Sequence, residues 1–412
     1  MNRFEEFITR IVQQVGKKEG AISPIMVNSA SFGYGNSETG EGIFEGSVKK
    51  PLYARVGNPT SAHLEQILAS MDGGIGAVAA SSGMGAIAMA TLSLLRAGDE
   101  IISIGGLFGG TYSYFSETLS RFGITTHFFD VDALDAIEEA INTATKILFL
   151  ESVGNPNMRL PDIKKIADIA KAHGVVLMVD NTITPLSVVP IALGADIVVY
   201  STTKIITGNA SSLGGAVIFR AISEGEDKLK GDRYRDIHPF INKMGATALI
   251  ANAKKRALRD FGMSANGFGS YLTMLGLETL PLRMDRIVTT VETVAKGLSE
   301  RGFDVSHPCL PHHPHHERYL NQFSNGCGTI FTIDLGTKER AFEFLNHSKL
   351  ITITANIGDS RTLGLHMAST IYRDFDEETK EFLGITPGLI RISIGLESAE
   401  AILDDFTNAA KI

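Results

Sequence analysis

Short apolar runs alternate with amphipathic segments between residues 58 and 220, and this alternation limits the folds open to the chain. Helical patterns such as residues 134–143 and 163–173 lie between the runs. Strands that alternate with helices favour an α/β fold, a mostly parallel sheet that binds ligands beyond the carboxyl ends of its strands. The predicted strands are residues 101–104, 146–150, 175–179, 197–200 and 216–219.

The pattern divides the chain into three predicted parts. Residues 1–50 form an N-terminal arm, with one short helical pattern followed by a Gly/Ser-rich segment at 31–46 that lacks sustained periodicity. Residues 51–250 form a large α/β domain, and residues 251–412 a smaller α+β domain. The smaller domain begins with helical sequence, and its predicted strands are residues 329–335, 350–354 and 389–394.

Composition narrows the class of protein. The chain has 412 residues, 44% of them hydrophobic, with a net charge of -8, which argues against a nucleic-acid-binding surface. No uninterrupted apolar stretch reaches the roughly 18 residues of a membrane span. Cys309 and Cys327 cannot build a disulfide framework, and residues 1–20 carry acids in place of a signal-peptide core. We therefore expect a cytoplasmic protein whose partners are small molecules and other subunits.

An acid and a lysine lie at the ends of two predicted strands. Asp180 closes the run 175–179, and Lys204 follows the next run together with Ser201 and Thr203. A turn or cap explains many aspartates, and solvent exposure most lysines. Behind an apolar strand, however, desolvation lowers the pKa of a lysine and makes it a usable nucleophile. A lysine, a carboxylate and hydroxyl groups are what pyridoxal phosphate chemistry requires.

A glycine turn precedes a helix-forming segment at residues 82–90. Ser82-Gly83-Met84-Gly85 would present free N–H groups and the positive end of a helix dipole to a phosphate, or pack closely with Ser82 as the helix cap. Residues 74–79 match the dinucleotide motif G-x-G-x-x-A and leave a nucleotide-binding protein as a remote alternative. This match follows a helical pattern instead of a strand, so we interpret it as accidental.

Two further features invite a ligand. Arg391 lies in an otherwise apolar run, where it needs an anion, either a structural partner or the α-carboxylate of an amino-acid substrate. Five histidines occupy residues 307–316, but their spacing matches no recognised metal motif, so the prediction is a solvated loop without metal.

Taken together, these segments resemble the cysteine/methionine-metabolism family of pyridoxal-phosphate enzymes. That family includes cystathionine gamma-synthase, cystathionine lyases, methionine gamma-lyase and O-acetylhomoserine sulfhydrylase. The resemblance implies a fold-type I transferase fold, pyridoxal 5'-phosphate as cofactor, and a homo-oligomer, expected to be a tetramer. The matching segments are residues 53–60, 82–87, 151–156, 179–182, 201–204, 276–280 and 391–395.

The resemblance also implies roles for residues that bind the cofactor. Lys204 would form the Schiff base and move protons, and Asp180 would pair with the ring nitrogen. Phe108 occupies the position of the ring-stacking aromatic, usually tyrosine in the family, so stacking survives but proton transfer by a phenol does not. The phosphate would be held by Gly83, Met84, Ser201 and Thr203, joined by Tyr53 and Arg55 of a neighbouring subunit.

Other positions concern the substrate. The resemblance places Asn155 near the ring hydroxyl of the cofactor and Arg391 on the substrate carboxylate. In the stretch Asn356-Ile357-Gly358-Asp359-Ser360-Arg361, arginine stands where cystathionine-handling members carry a glutamate. A cation cannot attract the ammonium group of a second amino acid. Asn356 and Arg361 are therefore predicted to select a small or anionic sulfur donor.

The predicted reaction is that of an O-acetylhomoserine sulfhydrylase in methionine biosynthesis. Sulfide or a related donor would replace acetate at Cγ and give homocysteine. A cystathionine gamma-synthase or methionine gamma-lyase type of reaction is the alternative, the lyase being disfavoured by Gly110, where that enzyme has a cysteine. Free sulfide, methanethiol and a protein-bound thiocarboxylate all suit a basic entrance, and both acetyl and succinyl leaving groups stay open.

Overall fold

The computed structural model describes residues 14, 20–225 and 227–411. Most of the N-terminal arm before residue 20, with its helical pattern, lies outside the described residues. The strands form two sheets of unequal size. No helix in the described part of the chain is long and apolar enough to cross a membrane.

The larger sheet has seven strands in the order β1-β7-β6-β5-β4-β2-β3. Strands β2 to β6 run parallel to one another, and β7 is antiparallel to β6 and β1. The predicted parallel sheet is thus confirmed, and each predicted strand lies within one residue of its predicted ends. In chain order the strands are β1 Gly76–Ala80, β2 Glu100–Ile104, β3 Thr125–Phe129, β4 Thr145–Glu151, β5 Val176–Asp180, β6 Ile197–Tyr200 and β7 Gly215–Phe219.

Two strands were not predicted. Strand β1 covers most of the segment that matches the dinucleotide motif, so those residues are not a turn between a strand and a helix. Strand β3 is the other edge of the sheet, and its half-exposed sequence Thr-Thr-His-Phe-Phe lacks the apolar run of a central strand.

The smaller sheet has five strands in the order β10-β11-β12-β9-β8 and is mostly antiparallel. The predicted second α+β region is confirmed, whereas its boundary at residue 250 stays a prediction. Strands β8 and β11 were not predicted, because they are short and interrupted by polar residues or glycine. The strands are β8 Asp304–Ser306, β9 Ile330–Asp334, β10 Thr352–Ile353, β11 Leu363–His366 and β12 Leu389–Ser393.

Fifteen α-helices are described. They are α1 Ser37–Glu45, α2 Pro59–Asp72, α3 Gly83–Leu94, α4 Gly109–Ser113, α5 Leu134–Ala140, α6 Ile163–Ala172, α7 Pro190–Leu193, α8 His238–Met244, α9 Ala248–Ala253, α10 Arg259–Phe261, α11 Gly267–Glu300, α12 His316–Gln322, α13 Lys338–His347, α14 Glu377–Leu383 and α15 Ala399–Ala409. Helix α1 forms within the Gly/Ser-rich segment because its ends are well capped: Asn36 accepts the Thr39 N–H at 2.8 Å, and Gly46 has φ 85°.

One apolar cluster joins the two sheets. It contains Val198 of β6, Met274 of α11, Phe331 of β9 and Ile392 of β12, all fully buried or nearly so. Burying a large aliphatic or aromatic side chain contributes about 2 kcal/mol. This shared core fixes Arg391, on β12, relative to the carboxyl ends of β4, β5 and β6.

Candidate active site

A cavity opens at the carboxyl ends of the parallel strands, with walls from both sheets. Its empty volume is about 850 Å³, the open mouth included. This is the edge at which a sheet of this topology is expected to bind ligands. Its lining residues are Ser82, Gly83, Met84, Ile87, Phe108, Thr111, Glu151, Ser152, Val153, Asn155, Asp180, Thr182, Ile183, Ser201, Thr203, Lys204, Leu213, Ala355, Ile357 and Arg391.

Lys204 presents its amine to this cavity. Nζ donates a hydrogen bond to Oδ1 of Asn356 at 2.7 Å and forms no ion pair with any described carboxylate. Burial, and then the nearby charge of Arg391, lowers the pKa of Lys204 to about 8. A substantial fraction of the amine is therefore neutral, and able to act as nucleophile or base, near physiological pH.

Asp180 and Glu151 form a pair of buried carboxyl groups on adjacent strands. They are direct partners in the register of β4 and β5. Burial raises the pKa of Asp180 to about 6, opposed by hydrogen bonds from Thr182, whose N–H is 2.9 Å from Oδ1. Burial and the charge of Asp180 raise the pKa of Glu151 well above its usual range. Burial therefore disfavours the charged form of both carboxyl groups, and the charge of Asp180 disfavours it further at Glu151.

Glu151 is the main residue of this site that the sequence analysis missed. Its Oε1 accepts the Phe108 N–H at 2.8 Å, and it also accepts the backbone N–H of Asn155. A signal was present, since Glu151 closes a predicted strand just as Asp180 does. Because one carboxylate at a strand end already meets the expected chemistry, the sequence pattern alone does not point to a second.

The turn before α3 has the form of a phosphate cradle. Ser82 caps the helix by accepting the Gly85 N–H at 3.0 Å, while the N–H groups of Gly83 and Met84 precede the first intrahelical bonds. A Cβ on Gly83 would lie 2.6 Å from Cβ of Ser201, so only glycine allows this approach. Ser201 and Thr203 lie opposite, at the end of β6.

Arg391 is buried beside Asn155. It donates to Oδ1 of Asn155 at 3.1 Å and to the carbonyl oxygens of Ala355 and Asn356 at 3.3 and 3.4 Å. It makes no ion pair with a carboxylate of the described residues, so the structural partner that the sequence left open is absent there. Burial lowers the pKa of Arg391 to about 10. A buried guanidinium in this state is a binding site for an anion.

Three predicted site residues neither line the cavity of their own chain nor hydrogen-bond a described residue that lines it. Tyr53 and Arg55 are exposed, and Arg55 donates to the carbonyl oxygen of Arg259 at 2.5 Å. The side chain of Arg361 is 59% exposed and pairs with Asp359, with Nε and Oδ1 2.7 Å apart. The structure therefore does not bring these three residues together with Lys204, and their roles stay predictions.

The histidine-rich segment is not a solvated loop. His307, His313 and His315 are buried, so that prediction is wrong for them. His315 accepts the Leu160 N–H at 2.9 Å and contacts Asp132 at 3.0 Å, which explains its burial. No group of three or more potential ligand side chains in the described part of the chain could hold a metal ion.

The lining fits pyridoxal phosphate group by group. Lys204 supplies the amine, Asp180 a carboxylate for the ring nitrogen, and the glycine turn N–H groups for the phosphate. Phe108 supplies an aromatic ring at the cavity wall. Beyond its contacts with Thr182, the Asp180 carboxylate makes no hydrogen bond or ion pair with a described residue, which leaves it available to a cationic ring nitrogen.

Comparison with known proteins agrees with this geometry. The family model for Cys/Met metabolism PLP-dependent enzymes matches residues 8–411. Homocysteine synthase of Schizosaccharomyces pombe is 36% identical, with 88% of this chain and 87% of the relative covered. O-acetyl-L-homoserine sulfhydrylase 1 of Thermus thermophilus is 35% identical, with 87% and 88% covered.

A solved structure is similar over the same range. It is described as an O-acetylhomoserine (thiol)-lyase of Campylobacter jejuni and contains a pyridoxyl-lysine phosphate. The TM-score is 0.94 at 31% sequence identity, with 98% of this chain and 100% of that chain covered.

We expect Gly83→Ala to weaken cofactor binding without unfolding the protein. The new Cβ would overlap Ser201, and overpacking of this kind costs about 1–3 kcal/mol, so the Kd for pyridoxal phosphate should rise about tenfold or more. Titration of the cofactor-free protein by absorbance measures the Kd. Gly85→Ala is the matched control, since its Cβ would lie 3.2 Å from its nearest neighbour, the hydroxyl oxygen of Ser81. An equal Kd for pyridoxal phosphate in the two variants would contradict the assignment of this turn to the phosphate.

Proposed function

Since this chain belongs to the Cys/Met metabolism family of PLP-dependent enzymes, we propose that it replaces the acetate of O-acetylhomoserine with sulfide or a related sulfur donor, giving homocysteine. The observation that carries the proposal is the buried Arg391, which lacks a described anionic partner and faces the same cavity as Lys204. An amino-acid substrate brings the missing carboxylate.

Arg391 would orient this substrate. A guanidinium holds a carboxylate through two parallel hydrogen bonds, which fixes direction as well as position. Asn155 supports the arginine through the 3.1 Å bond to its Oδ1. The Cα of the substrate is then directed toward Lys204, on the adjoining wall of the cavity.

The chain's own groups provide the proton transfers. Bound pyridoxal phosphate supplies an electron sink for the carbanion formed at Cα. Lys204, with its pKa lowered to about 8, accepts the proton from Cα as a base. Asn356 holds Nζ at 2.7 Å and keeps the amine within the cavity. Asp180, whose pKa lies at about 6, is mostly ionised at neutral pH and so carries the negative charge that pairs with a protonated ring nitrogen.

A small sulfur donor suits the rest of the cavity. Lys204 and Arg391 are the only lysine and arginine among its lining residues, so no further cation is available there for the carboxylate of a second amino acid. Much of the remaining wall is apolar and includes Ile87, Val153 and Leu213. Arg361, outside the cavity and paired with Asp359, offers nothing to a second ammonium group.

A methionine gamma-lyase type of reaction is less well supported. L-methionine gamma-lyase of Pseudomonas putida is 31% identical and is matched over 100% of this chain. The cysteine expected of that enzyme is replaced by Gly110, and a Cβ there would lie 2.7 Å from Cε1 of Phe108. The position of Phe108 thus excludes a cysteine at position 110 unless the ring moves.

The complete site is proposed to need two subunits. Tyr53 and Arg55 are exposed and lie outside the cavity of their own chain, as expected of residues that complete a neighbouring site. A homodimer is then the minimum, and the homotetramer stays our proposed assembly. We also propose the cytoplasm as the location, since Cys309 and Cys327 are unpaired thiols.

Steady-state assays with O-acetylhomoserine test the reaction. Sulfide should give homocysteine, whereas cysteine should give little or no cystathionine because the cavity offers no cation for a second carboxylate. Lys204→Ala, the negative control, should lose turnover while keeping its melting temperature. Efficient formation of cystathionine by the unmutated protein would overturn the proposal, as would release of methanethiol from methionine as the faster reaction.

Mixing two inactive variants tests the shared site. Lys204→Ala and Arg55→Ala subunits, allowed to exchange, should regain activity, because one hybrid site then contains both native residues. Lys204→Ala mixed with Asp180→Ala is the matched control, since both residues line the cavity of one chain and no intact site can form. If exchange is demonstrated and only background activity returns in the first mixture, Arg55 does not act across subunits.

A further inference from the structure

Tyr372 reaches from the smaller sheet to the wall of the cavity without lining it. It follows β11 and is fully buried. Its phenol oxygen lies 3.1 Å from the carbonyl oxygen of Leu107 and 3.0 Å from that of Asn155. Burial raises the pKa of Tyr372, so the phenol keeps its single proton, which the two carbonyl oxygens share as acceptors.

The first of these contacts adjoins Phe108. Leu107 precedes Phe108, and the backbone of Gly109, which follows it, also hydrogen-bonds the phenol oxygen. The Phe108 N–H donates to Glu151 at 2.8 Å. The Phe108 carbonyl oxygen accepts the N–H of Thr111 at 2.8 Å. Hydrogen bonds therefore fix the main chain on both sides of Phe108. The ring itself cannot form a hydrogen bond, so its position depends on that main chain.

The second contact adjoins Arg391, the residue proposed to bind the substrate carboxylate. The Asn155 carbonyl accepts from Tyr372, while Oδ1 of the same residue accepts from Arg391 at 3.1 Å. Tyr372 thus bonds to the backbone of two turns, one after β2 and one after β4, and each turn carries a residue assigned to the site.

The segment that contains Ile371 and Tyr372 also packs against the turn that carries Phe108. A Cβ on Gly109 would lie 2.8 Å from Cγ2 of Ile371 and 3.3 Å from Cε1 of Tyr372. The segment of the smaller sheet therefore lies directly against the turn that carries Phe108. Because Tyr372 is fully buried and lies against this turn, a shift of its ring would be transmitted to the turn.

We infer that Tyr372 is a positioning residue: its buried hydroxyl sets the orientation of Phe108 and Asn155 and couples both to the smaller sheet. The inference rests on the proposed function only in assigning Phe108 to the cofactor and Asn155 to the support of Arg391. A tyrosine with a purely structural role would contribute to the stability of the protein, but its hydroxyl would not limit the motion of these two turns.

The variant Tyr372→Phe tests this, because it removes the hydroxyl and keeps the ring. The matched control is Tyr234→Phe. Tyr234 is equally buried and bonds to the backbone twice, with its oxygen 2.5 Å from the carbonyl oxygen of Lys146 and 2.8 Å from the Val176 nitrogen. Those contacts lie at the amino ends of β4 and β5, away from the cavity.

The first readout needs no cofactor. Amide hydrogen exchange in the cofactor-free protein should speed up in residues 105–112 in Tyr372→Phe, and stay unchanged there in Tyr234→Phe. With cofactor bound, the visible circular dichroism of the ring should change in Tyr372→Phe alone. The kcat should fall about ten- to a hundredfold with a smaller change in KM, as for a misplaced catalytic group.

Unchanged exchange, dichroism and kcat in a folded Tyr372→Phe protein would overturn the inference, whatever its melting temperature. If that variant does not fold, Gly109→Ala, which displaces Ile371 and Tyr372 from the same turn, is measured with the same expectations. Exchange and dichroism do not depend on the reaction catalysed. A protein that makes no homocysteine yet shows both changes would refute the proposed function and leave the inference standing.

Discussion

The site depends on four ionisable side chains that are buried together. Glu151, Asp180, Lys204 and Arg391 share one cavity, where each would be costly to charge in isolation. Burial raises the pKa of both acids and lowers the pKa of both bases. A ligand with a cationic nitrogen and an anionic group would stabilise the charged forms of these buried side chains. The cofactor and an amino-acid substrate together bring both groups.

The arrangement of the two sheets brings these four side chains together. Parallel strands end at one edge of the sheet, so Glu151, Asp180 and the residues after Tyr200 lie side by side there. Arg391 comes from the smaller sheet, and the apolar core shared by the two sheets holds it in place. Within one chain, the cavity joins the lysine, the carboxylate and the arginine, while Tyr53 and Arg55 lie elsewhere. The geometry of the single chain is therefore consistent with a site completed by a second copy.

Much of this could be predicted from the sequence, because the signals were local. Asp180 and Lys204 each follow an apolar run, and Gly83 precedes a helix-forming segment. Tyr372 could not be found in this way, because its partners Leu107 and Asn155 are more than 200 residues away in the chain. The buried histidines were misjudged for the same reason: prolines and polar residues suggested a loop, whereas Leu160 and Asp132, distant in sequence, supply the partners of His315. Edge strand β3 gave too weak an apolar pattern to be seen.

The most direct test of the account is where the cofactor is attached. Borohydride reduction of the yellow holoenzyme, followed by proteolysis and mass analysis of the peptides, identifies the modified lysine. The account predicts a single pyridoxyl group on Lys204, the one lysine that lines the cavity. A pyridoxyl group on another lysine, or a protein that takes up no cofactor although folded, would contradict it.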